Sequence, residues 1–355
     1  MSIVVPNYNG RAYLAACLES IRSQDYRDWQ CLFVDDGSGD DSVEIAEGFA
    51  REDSRFQVLL MDSNRGPAAA RNRGLEAATG RYVVFQDSDD LMLPSSISTR
   101  VGAVEACGRA SLGGSYCKFI PMREDGEPFV PAWRLRGLWQ TPEISWLDTA
   151  PQCPMQLSAA LFAAGAVRQA GGFDENIVHG AEDWEFFLRF LRYGHRLAGT
   201  GTCGCLYRSR PASRARSESG ALFDTARWMH EAAESPAEGG DDGSGAFFFS
   251  QPVWWYKTRL ALFRAQIRYA MVAHLQNQVD QFERILSACH PHLLDCVRHM
   301  QYDSWIEQTV LRFLCHYHGL AEQESVEALP GPLRGQYADC ARAIREFLAL
   351  PAEGG

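Results

Sequence analysis

Residues 82–90 read Tyr-Val-Val-Phe-Gln-Asp-Ser-Asp-Asp, four β-favouring residues followed at once by an acid-rich polar run. An unbroken apolar run of this length, bounded by polar residues, is the pattern of a strand buried on both faces. The same pattern recurs upstream. Residues 3–6 form a buried-type strand ending in Pro6-Asn7-Tyr8-Asn9. Residues 30–34 form a second, ending in Asp35-Asp36-Gly37-Ser38, and residues 56–61 a third, followed by Asn64-Arg65-Gly66. Between these strands Leu14, Leu18 and Ile21, then Val43, Ala46 and Ala50, recur at helical spacing. Asp40 or Asp41 is placed to cap the second helix, and residues 67–78 read as a third helix ended by Gly80. Strand and helix alternating at this interval predict βαβ units and a parallel sheet covered on both faces.

In such a sheet, ligands bind outside the carboxyl ends of the strands. All four strand ends here carry a polar cluster, so four clusters are expected to meet at one edge. Each alone reads as a turn or loop, and the Asp87–Asp90 run alone reads as a helix N-cap with an acidic first turn. Further along, residues 110–122 look like another strand and residues 133–149 like a loop-rich stretch. Residues 182–193 read as a helix with Trp184, Phe187 and Leu191 on one face and Gly194 at its end.

Taken together, the strand-end clusters resemble family 2 glycosyltransferases of the GT-A fold over about residues 2–215. The resemblance is carried by Val-Pro-Asn-Tyr-Asn at 5–9, Val-Asp-Asp-Gly-Ser at 34–38, Asn64-Arg65-Gly66 with Ala70-Arg71-Asn72, Gln86-Asp87-Ser88-Asp89-Asp90, and Gly171-Gly172-Phe173-Asp174 followed by Glu182-Asp183. It implies an α/β fold, a GT-A mixed sheet with helices on both faces. By this resemblance Asp87-Ser88-Asp89 is the family's DxD motif. Asp87 and Asp89 would hold Mn²⁺ or Mg²⁺ against the sugar-nucleotide pyrophosphate, a task suited to hard oxygen ligands. Asp183 matches the general base, with Glu182 and Trp184 on the acceptor side. Pro6, Tyr8, Asn9, Asp36, Arg71, Ser88 and Arg208 fall at donor- or nucleotide-binding positions, with Arg65 competing with Arg71. The implied activity is inverting transfer of a hexose or N-acetylhexosamine from a nucleotide diphosphate sugar, a UDP-sugar by preference, to an acceptor hydroxyl. The acceptor would be a sugar, a lipid-linked glycan or a protein, in polysaccharide, glycolipid or glycoprotein synthesis.

The competing readings are an inactive GT-A-like scaffold and a nucleotidyltransferase. The latter usually carries a glycine- and Arg/Lys-rich loop after the first strand, which Pro6-Asn7-Tyr8-Asn9-Gly10-Arg11 is not. Gly199-Thr-Gly-Thr-Cys-Gly204 spells G-x-G-x-x-G, but no helix or βαβ setting follows it, so a dinucleotide site is rejected. Cys289, His290, His292, Cys296 and His299 include metal-compatible residue types without a zinc-site spacing, and helix packing accounts for them.

The rest of the chain sets the boundaries. Residues 231–246 are rich in small, acidic and breaker residues and read as a linker. Beyond it Leu260, Phe263, Ile267 and Met271, and later Ile306, Val310, Phe313 and Tyr317, keep helical spacing. The expected division is a glycosyltransferase domain at 1–220, a helix and acidic linker at 221–246, and an α-helical domain at 247–355, through which a homo-oligomer could form. The chain has 34 Lys+Arg against 45 Asp+Glu, a formal net charge of −11, which argues against nucleic acid as a partner. Part of that excess sits in the linker and part in the strand-end carboxylates. Eleven scattered cysteines favour reduced thiols over a disulfide framework. The opening Met-Ser-Ile-Val-Val-Pro lacks the basic segment of a secretory leader, and no run approaches about 18 apolar residues. The expectation is a cytoplasmic protein without a transmembrane segment, peripheral at the inner face of a membrane.

Overall fold

The computed structural model describes residues 1–108, 112–128, 143–144, 155–177, 182–209 and 329–347, with isolated positions at 270–286 and at 326. The first half of the sheet follows the expected alternation. Strands β1 (Ser2–Asn7), β2 (Gln30–Asp35), β3 (Phe56–Leu60) and β4 (Tyr82–Phe85) are joined by helices α1 (Arg11–Arg22), α2 (Ser42–Glu52) and α3 (Pro67–Ala77). They lie in the order β3-β2-β1-β4, all parallel. The order reverses at β1, so β1 and β4 open a crevice at their carboxyl ends.

The second half is mixed. After β5 (Leu91–Met92) and α4 (Ser96–Cys107) come β6 (Leu112–Met122), β7 (Glu143–Ile144), β8 (Ala160–Ala163), the helix Glu182–Arg192 and β9 (Arg196–Arg208). Strand β8 runs antiparallel to β4 and β6, β6 is parallel to β9, and β5 and β7 pair antiparallel with β9. Among the described residues this makes one nine-stranded sheet. The G-x-G-x-x-G sequence lies inside β9 and opens no helix, as its setting predicts.

Both faces are covered because alternate strand residues point to opposite sides. Ile3, Val5, Phe33 and Val84 pack with Leu14, Leu18 and Ile21 of α1, Ala46 of α2 and Ile97 and Val101 of α4. Val4, Leu32, Val34, Val83 and Phe85 face the other way, against Ala68, Ala70 and Leu75 of α3 and Phe186, Phe187 and Phe190 of the helix Glu182–Arg192. Each of these buried phenylalanines contributes about 1.5–3 kcal/mol by leaving water. Helix α3 lies hard against β1, where a Cβ on Gly74 would sit 2.2 Å from a Val4 methyl. That close approach places the helix's start at the carboxyl edge of the sheet.

In the C-terminal part the helix Gly331–Phe347 buries Tyr337, Cys340, Ala341 and Ile344, a helical spacing. The acidic linker at 231–246, the Cys/His group at 289–299 and most of the expected helices at 247–355 lie outside the described residues. Among the described residues no helix is long and apolar enough to cross a membrane.

Candidate active site

At the end of β1, Asn7 is buried and its amide reaches Asp35 (3.4 Å) and Ser38 (3.3 Å), binding β1 to the turn after β2. Asp35 also accepts the Ser38 backbone N–H at 2.8 Å. The buried Asp36 carboxylate accepts the backbone N–H groups of Arg65 and Gly66, both at 2.8 Å. It therefore ties the β2 end to the Asn64-Arg65-Gly66 loop, a structural task beyond the nucleotide contact expected of it. Pro6 is buried within β1 while Tyr8 is exposed, and Asn9 sits at φ 51° with its side chain accepting from Gly39 N–H at 2.8 Å. Gly10 must lack a side chain, because a Cβ there would lie 2.1 Å from Asn7 Oδ1 and 3.1 Å from Ser88 Oγ. The β1 cluster and the Asp87–Asp89 run therefore share one edge.

Arg71 joins the DxD run to the Glu-Asp pair. It is buried in α3, and donates to Asp87 Oδ1 at 2.8 Å and to Glu182 Oε1 at 2.5 Å. Burial works against its charge, but Asp87 and Glu182 outweigh that and leave its pKa above the usual arginine value. Arg71 thus pairs with two protein carboxylates through its terminal nitrogens while its buried Nε has no hydrogen-bond partner among the described residues, and Arg65 pairs at the surface with Glu175.

Aromatic packing holds the helix that carries Glu182 and Asp183. Phe173 stacks on Phe186 with centroids 4.5 Å apart and meets Phe85 of β4 edge-on at 4.8 Å. Phe173 is itself fixed by Asn72, whose side-chain amide exchanges two 2.8 Å hydrogen bonds with its backbone. Arg189 bonds Glu185 and the carbonyls of Ala170 and Gly172. The Gly171-Gly172-Phe173-Asp174 segment thus clamps this helix to α3 and β4, and so sets the distance between the two acidic stations.

Asp183 is partly buried and accepts the Trp184 N–H at 2.7 Å. Desolvation, with Glu182 and Asp87 nearby, pushes its pKa up to about 7 despite Arg71. A carboxylate poised there changes protonation near neutral pH, as a general base requires. Trp184 beside it is buried.

Two residues with no distinct role in the sequence reading lie buried behind the site. Asp90 is fully buried, accepting from Ser158 Oγ at 2.8 Å and from Arg208 N–H at 2.9 Å. Burial, with Asp89 and Asp87 close by, holds its pKa well above the usual carboxylate range. Ser158 Oγ in turn accepts the Asp87 N–H at 3.2 Å. Arg208 donates to the carbonyls of Asp89 (2.9 Å) and Glu124 (2.7 Å), with its guanidinium 4.5 Å from the Tyr13 ring centroid. Here, too, an arginine expected at the donor braces the loop that carries the acids. Arg214 and Arg216 lie outside the described residues.

The donor set fits a substrate-completed metal site. Asp87 and Asp89 offer hard carboxylate oxygens at a strand end, and among the described residues no group of three or more His, Cys, Asp or Glu is arranged to hold an ion. A Mg²⁺ or Mn²⁺ ion takes its remaining oxygens from phosphate and water in such a setting.

The description "Glycosyl transferase family 2" matches residues 2–147. A protein named for teichuronic acid biosynthesis, the glycosyltransferase TuaG of Bacillus subtilis (strain 168), is 34% identical over 208 residues, covering 59% of this chain and 78% of TuaG. Matches to three other curated relatives run over 119, 94 and 151 residues and span 40%, 27% and 42% of their lengths. Among solved structures, S. aureus TarS 1–349 in complex with UDP-GlcNAc superposes with a TM-score of 0.57 at 16% identity, covering 97% of this chain and 90% of that one. The mannosyltransferase PcManGT from Pyrobaculum calidifontis, in complex with GDP-Man and Mn²⁺, gives 0.53 at 16% identity, covering 98% and 87%. The chain belongs to glycosyltransferase family 2 and has the GT-A fold.

Proposed function

We propose that this protein is a metal-dependent, inverting hexosyltransferase that moves a hexose or N-acetylhexosamine from a UDP-sugar to an acceptor hydroxyl. The observation that carries the reading is the Asp87–Arg71–Glu182 bridge, which brings a DxD carboxylate and a base poised near pH 7 into one crevice. The family, the relative named for teichuronic acid biosynthesis, and folds solved with UDP-GlcNAc or with GDP-Man and Mn²⁺ support it. The name of the relative TuaG supports a place in polysaccharide synthesis.

Pro6, Tyr8, Asn9 and Asp36 line the side that takes the nucleotide base, and Ser88 the diphosphate side. Arg71 and Arg208 act on the diphosphate through their charge, from guanidinium groups held in place by Asp87 and Glu182 and by the carbonyls of Asp89 and Glu124. Asp87 and Asp89 would hold a divalent cation, whose chemistry there would be to neutralise charge on the leaving diphosphate. Asp183 takes the proton of the acceptor hydroxyl. A single base acting in a single displacement inverts the anomeric carbon, and fixed geometry supplies much of the rate. Residues 1–220 carry this chemistry, and the helical part at 247–355 serves the acceptor or self-association at the inner membrane face.

Purified protein incubated with a panel of UDP- and GDP-sugars, with Mn²⁺ or with EDTA, tests the reading. Metal-dependent release of UDP is expected. Release from GDP-sugars alone corrects the donor, and the absence of metal-dependent nucleotide binding by calorimetry overturns the assignment.

A further inference from the structure

The buried polar groups behind the acidic loop form a connected set. Arg100, Ser158 and Asp90 are all fully buried. Burying a guanidinium and a carboxyl group is costly unless their hydrogen bonds are met, and apolar residues would fill the same volume without that cost. Here the hydrogen bonds lead to one place. Arg100 donates to the carbonyls of Ser158 (3.1 Å) and Ala160 (3.2 Å), pinning the short 3₁₀ turn Leu157–Ala159, and is itself held by the Ser96 carbonyl and hydroxyl. The pinned turn aims Ser158 Oγ between Asp87 N–H, which it accepts, and Asp90 Oδ2, to which it donates. Asp90 Oδ1 takes the Arg208 N–H, and the Arg208 side chain returns to the Asp89 carbonyl. The backbone of the loop is therefore gripped at Asp87 and again at Asp89, while Asp87, Ser88 and Asp89 are only partly buried.

We propose that Ser158, set by Arg100 and Asp90, is a positioning residue that holds the Asp87-Ser88-Asp89 loop in the geometry its carboxylates need toward a divalent cation. Its functional consequence rests on the transferase reading given above. Ligands whose own supports are removed bind metal more weakly, because the binding energy must then also order the loop.

The test compares wild type with Ser158→Ala and Arg100→Lys as full chains, by backbone hydrogen exchange, Mn²⁺ titration of UDP release and thermal melting. Ser158→Ala should speed exchange in residues 86–92 while the rest of the sheet is unchanged. It should raise the Mn²⁺ half-saturation about 10–100-fold, with kcat at saturating Mn²⁺ largely retained. A lower melting temperature with local exchange and half-saturation unchanged would mean a merely structural role and overturn the proposal. Faster exchange without a shift in half-saturation in an active enzyme overturns it too. Should Ser158→Ala not fold, Arg100→Lys supplies the same readings, since lysine cannot fork to both carbonyls. If wild type releases no nucleotide from any donor, the transferase reading fails separately, and exchange in residues 86–92 alone decides whether Ser158 holds the loop.

Discussion

Asp36 and Asp183 are both acids at the sheet's carboxyl edge, yet their surroundings give them opposite work. Asp36 accepts two backbone N–H groups, from Arg65 and Gly66, and so joins two loops. Asp183 accepts the Trp184 N–H but faces Glu182 and Asp87, and desolvation with those charges raises its pKa to about 7. At Asp183, burial and like charges oppose ionisation. The contrast teaches that an aspartate's role here is set by what its oxygens already hold.

The largest effect should come from Asp183→Asn, which keeps the shape and removes the base. It is expected to lower kcat about 10²–10⁴-fold with donor binding retained, measured as steady-state release of nucleoside diphosphate. Loss of donor binding instead would break the comparison. Next, Asp89→Ala should abolish the Mn²⁺-dependent part of donor binding in calorimetry while leaving the fold intact. Third, kcat/KM should rise about tenfold per pH unit below pH 7 and level off above it, because only the ionised carboxylate accepts a proton. A profile flat from pH 5 to pH 8 would show that another group is the base. Smallest in its effect on turnover is Asp36→Asn, whose amide must point a donor at a backbone donor. It should cost about 1–3 kcal/mol of stability, read from the urea midpoint, with kcat nearly unchanged.

The parallel half of the sheet was legible residue by residue. Tyr82–Phe85 and Ile3–Val5 are apolar runs too short for helices, and the clusters after them reach one edge because parallel strands share a direction. The Glu182–Arg192 helix was legible from Trp184, Phe187 and Leu191. Less visible were the partners. Arg71 was expected at the nucleotide; its partner Glu182 lies 111 residues away and is brought within reach by long-range contacts such as Phe173 on Phe186, which no local pattern shows. Ser158 gave no signal, since a serine's task depends on what its turn faces. Asp90 read as the last acid of a run, and its burial follows from β9 crossing behind it.

The sequence by itself determined the family, the alternation of strands and helices, and the acidic residues at the strand ends, because periodicity and local motif chemistry are written in neighbouring residues. The tertiary structure alone decided which acids are satisfied and which are held near neutrality. Burial and hydrogen-bond partners arise between residues tens to more than a hundred positions apart, and those contacts set the charge state of each carboxylate.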